Sequence, residues 1–126
     1  MKFIKHGAGI PPAAGSYSPG VIVGNTFYLS GQIALLEDGT LLQGDAAEQT
    51  TLVMKNIAAV LKAGGTSFSN VAMVQILLAD VNDFKKVDVA YASALPEGHF
   101  PARVTYQAGA LPLNALVEIQ VIAVLF

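Results

Sequence analysis

Between His99 and Gln120 the chain reads HFPARVTYQAGALPLNALVEIQ and carries one positive charge, Arg103, and one negative charge, Glu118. Arg103 is the only arginine; the other six basic residues are Lys2, Lys5, Lys55, Lys62, Lys85 and Lys86. A guanidinium offers a planar fork of donors that matches a carboxylate through two parallel hydrogen bonds, which an ammonium cannot do. The lone fork therefore suits a small anionic ligand, and Pro101 just before it stiffens the backbone that presents it. A surface position or an ion pair with Glu118 is the commoner use of such an arginine. Glu118 lies in ALVEIQVIAVLF, where alternation puts Glu118, Gln120 and Ile122 on one side of a strand and Val117, Ile119 and Val121 on the other. A carboxylate in so apolar a strand is at least partly buried and needs a partner or a raised pKa. Either makes it a candidate for handling a proton or positioning a water. By pattern alone, the alternative is a rim glutamate on an edge strand.

Three further positions bear on a site. Tyr17, in GSYSPG, sits in a Gly/Ser/Pro-rich loop, where it either walls a small pocket or covers the end of a sheet. Ser30, in LSGQ, can donate a hydrogen bond where a hairpin ends. His6 and His99 are far apart in sequence and lack acidic neighbours at ligand spacing, so no metal is assigned. Gly64-Gly65 ends a helix instead of opening one, which leaves no phosphate-binding glycine loop.

These residues need elements to hold them. VIVGNTFYLSGQI reads as two β-rich runs around Gly24-Asn25, a pair suited to the positive φ angles of a two-residue hairpin turn. A polar loop with Asp38-Gly39 as its turn follows. Asp45 and Glu48 have capping-box spacing, and Met54, Ile57, Ala58 and Leu61 share one face of a helix over residues 46–63 that Gly64-Gly65 stops. NVAMVQILLADV, broken only by Gln75, predicts a central strand covered on both faces. Asn82 or Asp83 can cap a second helix with Val87, Ala90, Tyr91 and Ala94 on its apolar side, ending before Pro96. Two more strands, near residues 103–108 and 116–125, flank the turn-rich GALPLN. The order β-β-α-β-α-β-β makes residues 1–126 a single α+β domain, a mixed sheet with two helices packed on one face.

Composition says where the other face goes. Apolar residues make up 53% of the chain and charged residues 13%, about half the ~25% usual for soluble domains. One small domain has too little interior for that much apolar surface, so part of it is expected to pack against other copies of the chain. Seven basic and nine acidic residues give a net charge of −2 without a basic stripe, which speaks against nucleic acid as a partner. The absence of cysteine excludes disulfides and a thiol nucleophile and fits a cytoplasmic address, an organelle matrix being the alternative. No secretory h-region opens the chain, and the prolines and glycines of the uncharged residues 7–36 do not suit a membrane span. A soluble protein is expected.

Taken in order, PPAAGSYSPGVIVGNTFYLSGQI, NIAAVLKAGG, LADVNDF, FPAR, ALP and VEIQVIAV resemble the Rid family of reactive intermediate deaminases, the YjgF type, over nearly the whole chain. The resemblance implies a chorismate-mutase-like fold assembled as a homotrimer with clefts between neighbouring subunits. It implies a cofactor-free hydrolysis of 2-enamine or 2-imine acids, released by pyridoxal-phosphate dehydratases, to 2-keto acids and ammonia. Arg103 would clamp the substrate carboxylate and Glu118 would contact the water or the imine nitrogen. Tyr17, Ser30 and Gly31 would line the cleft, with Thr105 and Asp88 also on the substrate-binding side. Three positions depart from the family pattern. Arg103-Val104-Thr105 stands where Arg-Ser-Cys is common, which removes any thiol contact but not one through the backbone. Asp88 stands where asparagine is frequent, bringing a negative charge near an anion site, and Gln120 stands where a second glutamate is common. A trimeric protein that binds a keto acid without turnover is the alternative reading. A chorismate mutase would want more than one strong cation for its dianionic substrate.

Overall fold

The computed structural model describes residues 1–126. In chain order its elements are β1 (Lys2–Ile4), β2 (Gly20–Val23), β3 (Thr26–Leu29), α1 (Ala46–Ala63), β4 (Val71–Leu78), α2 (Phe84–Ala94), β5 (Ala102–Gln107) and β6 (Val117–Val124). The strands form one sheet in the order β1-β2-β3-β6-β4-β5, with β4 and β5 parallel and the other pairs antiparallel. The expected succession holds with one addition, β1, whose three residues are too few to display a period. No helix is long and apolar enough to cross a membrane.

Local chemistry accounts for the elements. Val23 faces Thr26 across the two-residue loop Gly24-Asn25, and only Gly24 takes a positive φ, +59°, so the turn follows the II′ pattern instead of using both residues that way. Asp45 caps α1 by accepting from the Glu48 N–H at 2.8 Å, and Glu48 Oε1 accepts from the Asp45 N–H at 3.0 Å. Gly65 ends that helix at φ +89°, and Gly64 is required because a Cβ there would lie 2.1 Å from the Phe27 ring. The buried stripe of α1 is Val53, Met54, Ile57, Val60 and Leu61; Ala58 falls just beyond its edge and is exposed. At the start of α2, Asp83 makes no capping bond, and Asp80 instead accepts from the Asn82 N–H at 2.9 Å in the short 3₁₀ turn leading into the helix. Val87 and Tyr91 of α2 are buried, whereas Ala94, its last residue, is exposed.

Both helices lie on one face of the sheet. Val74, Ile76 and Leu78 of β4 stand opposite Val121, Ile119 and Val117 of β6, and with Phe27 and Leu29 they form the core beneath α1 and α2. The opposite face carries Phe3, Tyr28, Met73, Val104 and Tyr106, each between 36% and 53% exposed. β4 is therefore central, as its sequence predicts, but within one chain only its helix side is covered; its apolar composition reflects a second face that this chain does not cover itself.

Three buried amide contacts tie the loop after β3 and the entry to β6 onto α1. Asn56 Nδ2 donates to the Leu35 carbonyl at 2.9 Å, Gln49 Nε2 donates to the Leu42 carbonyl at 3.0 Å, and Gln49 Oε1 accepts from the Leu116 N–H at 2.9 Å. Replacing Asn56 with Ala leaves a buried carbonyl without its donor and is expected to cost about 1–3 kcal/mol. Urea unfolding at fixed protein concentration should show a lower midpoint with an unchanged slope.

Candidate functional site

The polar residues singled out above fall into two groups, and the register of the sheet separates them. Glu118 pairs with Leu77 of β4, on the open face. Arg103 pairs with Val74 of β4, on the helix face, and Thr105 pairs with Ile76 on that same face. The two charges are separated by three residues along β4 and by the width of two strand spacings, about 10 Å in each direction. Their side chains leave opposite faces. An intrachain Arg103–Glu118 ion pair is thus excluded, and since β6 lies between β3 and β4, Glu118 is not on an edge strand either.

The Glu118 group lines a cavity of about 380 Å³ with Tyr17, Ser30, Gly31, Gln32 and Leu113. Reciprocal backbone bonds join Gln32 and Ile119, from Gln32 N–H to Ile119 O at 2.8 Å and from Ile119 N–H to Gln32 O at 3.0 Å, which brings Gly31 against the carboxylate. A Cβ at Gly31 would lie 3.0 Å from Glu118 Cδ, so a glycine keeps this wall open. Ser30 Oγ donates to the Ser18 carbonyl at 2.6 Å, and the Tyr17 hydroxyl accepts from the Ala14 N–H at 3.2 Å. These bonds fasten the loop carrying Tyr17 over the cavity and leave the serine hydroxyl free to accept from a ligand. Leu113 overhangs the cavity from a backbone with φ +56°, in the left-handed region that apolar side chains rarely adopt. Burial pushes the Glu118 carboxyl above its ordinary value of 4.5.

The Arg103 group lines a second cavity, of about 410 Å³, with Asp88, Tyr91, Ala92, Phe100 and Pro101. Arg103 Nη1 donates to Asp88 Oδ1 at 2.5 Å. Its guanidinium lies 5.4 Å from the Phe84 ring centre and 5.1 Å from that of Tyr91, within cation–π range. Nε and Nη2 donate to nothing in the chain, so one edge of the fork is available to a carboxylate. Thr105 Oγ1 and the Tyr91 hydroxyl are buried without a hydrogen-bond partner; burial is the main cause that pushes the Tyr91 phenol upward.

Tyr17, Ser30, Gly31 and Glu118 therefore converge, Arg103, Asp88 and Thr105 lie together elsewhere, and one chain does not join the two sets. The aromatic bed of Arg103 is absent from the sequence reading, which gives Tyr91 only a core role and Phe84 none. Its signal was available in the spacing of Phe84, Asp88 and Tyr91, at i, i+4 and i+7 on one side of α2.

A six-stranded mixed sheet with two helices on one face, carrying a carboxylate pocket on its open side and an arginine pocket under its helices, defines a class of small α+β protein. The chain belongs to the family described as Endoribonuclease L-PSP, the YjgF/Rid family, whose model matches residues 8–125. It is 44% identical over 115 residues to the 2-iminobutanoate/2-iminopropanoate deaminase of Rattus norvegicus, a match spanning 90% of this chain and 83% of that protein. Among solved structures it resembles RidA from an Antarctic Psychrobacter, with a TM-score of 0.92 and 34% identity over 99% of this chain and 100% of that one. It also resembles Escherichia coli TdcF with bound serine, with a TM-score of 0.89 and 30% identity over 98% of each chain.

Because Glu118 holds its proton more tightly folded than unfolded, ionising it opposes folding. Its contribution is most favourable below the unfolded pKa, declines as pH rises from there through the raised folded value, and is constant above it. Glu118→Gln removes this dependence. The melting temperature of the variant relative to wild type should rise as pH is increased from about 4 toward neutrality; a difference that stays flat or falls would contradict the raised carboxyl pKa of the half-buried Glu118.

Proposed function

We propose that this protein is a 2-iminobutanoate/2-iminopropanoate deaminase acting on 2-imino and 2-enamino acids that pyridoxal-phosphate dehydratases release. Water adds to the carbon of the protonated imine, the nitrogen leaves as ammonium, and a 2-keto acid remains. The observation that carries this reading is a guanidinium with a free Nε–Nη2 edge in a cavity, in a chain whose relatives bear this activity's name. A protonated imine is already a good electrophile, so the protein's work is to orient it beside a water and needs no cofactor. Arg103 holds the carboxylate end. Glu118, with its carboxyl pushed toward neutrality, positions the water or exchanges a proton with it or with the nitrogen. Tyr17, Ser30 and Gly31 form the wall on the Glu118 side; Asp88 and Thr105 flank the arginine.

A substrate of a few ångströms cannot touch both charges of one chain, so the working cleft is assigned to two copies. The Arg103 half and the Glu118 half occupy different surfaces of the molecule. A heterologous contact can join them and close into a ring, which accords with the homotrimer that the family resemblance implies. The exposed apolar side of the sheet supplies the surface such a contact would bury. The net charge of −2 argues against the RNA cleavage that the family description mentions. The absence of cysteine accords with the cytoplasm, the compartment we assign; an organelle matrix would serve the same chemistry. The Asp88–Arg103 contact favours one competing reading, a trimer that binds small carboxylates without turning them over.

Adding the protein to a threonine or serine dehydratase should speed the appearance of ammonia and keto acid. Arg103→Lys keeps the charge but loses the fork and should lower kcat/KM by about tenfold or more, the scale of one charge-assisted hydrogen bond. Arg103→Ala run beside it should abolish the acceleration. Ligand-dependent thermal stabilisation with no acceleration by wild type would select the binding protein instead.

A further inference from the structure

Arg103 shares its cavity with an anion. Asp88 Oδ1 occupies one guanidinium nitrogen at 2.5 Å, while Asp88 Oδ2 accepts from nothing in the chain and the side chain is 45% exposed beside the cavity. The residues lining the cavity thus carry two unengaged guanidinium donors, Nε and Nη2, and one unengaged carboxylate oxygen. The pair is electrically neutral in sum. The rings of Phe84 and Tyr91 lie within cation–π range of the guanidinium and add to what holds it in place.

We infer that Arg103 and Asp88 together form a zwitterion-selecting subsite, with Arg103 taking the carboxylate of a 2-imino or 2-amino acid and Asp88 taking its cationic nitrogen. The inference rests on the proposed deaminase site and names which charge state its arginine half accepts. In a 2-imino acid the carboxylate and the protonated nitrogen are borne by adjacent carbons, an anion and a cation close together, and one cavity here is lined by a cation and an anion to meet them. A bare 2-keto acid offers only the anion. Its carbonyl oxygen, standing where the nitrogen stood, meets the Asp88 carboxylate with lone pairs facing lone pairs. Hydrolysis converts one ligand into the other: the carbon gains oxygen from water, ammonium departs with the nitrogen, and the N–H donors to Asp88 go with it. Asp88 therefore separates substrate from product, favouring entry of the imine and release of the keto acid. It is a specificity-determining residue that does no bond-breaking itself.

The test compares dissociation constants of 2-aminobutanoate and 2-oxobutanoate, a zwitterion and an anion on one carbon skeleton, by calorimetry on the full chain. Wild type should bind the amino acid more tightly, and Arg103→Ala should lose both ligands. Asp88→Asn, of equal size but without the charge, should tighten the keto acid and loosen the amino acid, moving their ratio by about tenfold or more. Asp88→Ser should move the ratio in the same direction. A ratio that stays within about twofold in both variants, or a wild type with no measurable affinity for 2-aminobutanoate, overturns the subsite. Imine hydrolysis measured on the same samples separates this result from the fate of the deaminase. Acceleration by wild type with an unmoved ratio leaves the enzyme standing and removes the subsite, whereas a moved ratio without acceleration supports the subsite and removes the enzyme.

Discussion

Side chains leave a strand alternately to its two faces, and this period of two on β4, β5 and β6 governs where every polar group can act. Val74 and Val121 turn toward the helices, so Arg103, level with Val74, must turn that way too. Leu77 turns away, and Glu118 goes with it. No rotamer change can bring the two charges together, because only a one-residue slip of register would move either to the other face. A slip of β6 would also carry its buried Val117, Ile119 and Val121 into the open. The hydrophobic core of β6 thus holds Glu118 on the face opposite Arg103, which supports the two-copy cleft we propose.

Each of the two polar groups is held by a different kind of force. Around Glu118 the holding is done by backbone and buried amides. Gln49 and Asn56 reach from α1 to the loop and strand entry beside the cavity, a two-way backbone bridge joins Gln32 to Ile119, and Gly31 leaves room for the carboxylate. Around Arg103 the holding is done by side chains of one helix face, Phe84, Asp88 and Tyr91. The first arrangement is stiff because buried hydrogen bonds are costly to break. The second is set by charge and by the two aromatic rings beside the guanidinium.

Much of this was legible in the residues. The capping box at Asp45 and Glu48, the glycines that end α1, the hairpin at Gly24 and the alternation through Glu118 are all local signals, and the structure reproduces them. The singularity of Arg103 was equally plain, because its rarity can be read from a residue count. Other features depend on neighbours distant in sequence. β1 is a strand only because β2 offers it an edge, and the apolar run of β4 gives no hint that one of its faces stays uncovered within the chain. The spacing of Phe84, Asp88 and Tyr91 puts them on one side of α2, but that this side meets Arg103 depends on how α2 packs against β5.

By itself the sequence determined which segments become helix or strand and which face of β6 carries the carboxylate, since capping, turn chemistry and periodicity act over a few residues. Only the tertiary structure decided that β5 lies beside β4 in a register that turns Arg103 away from Glu118 and against Asp88. Strand order and register are settled by burial of the whole apolar face at once, a sum over contacts between residues far apart in the chain, and no short stretch contains it.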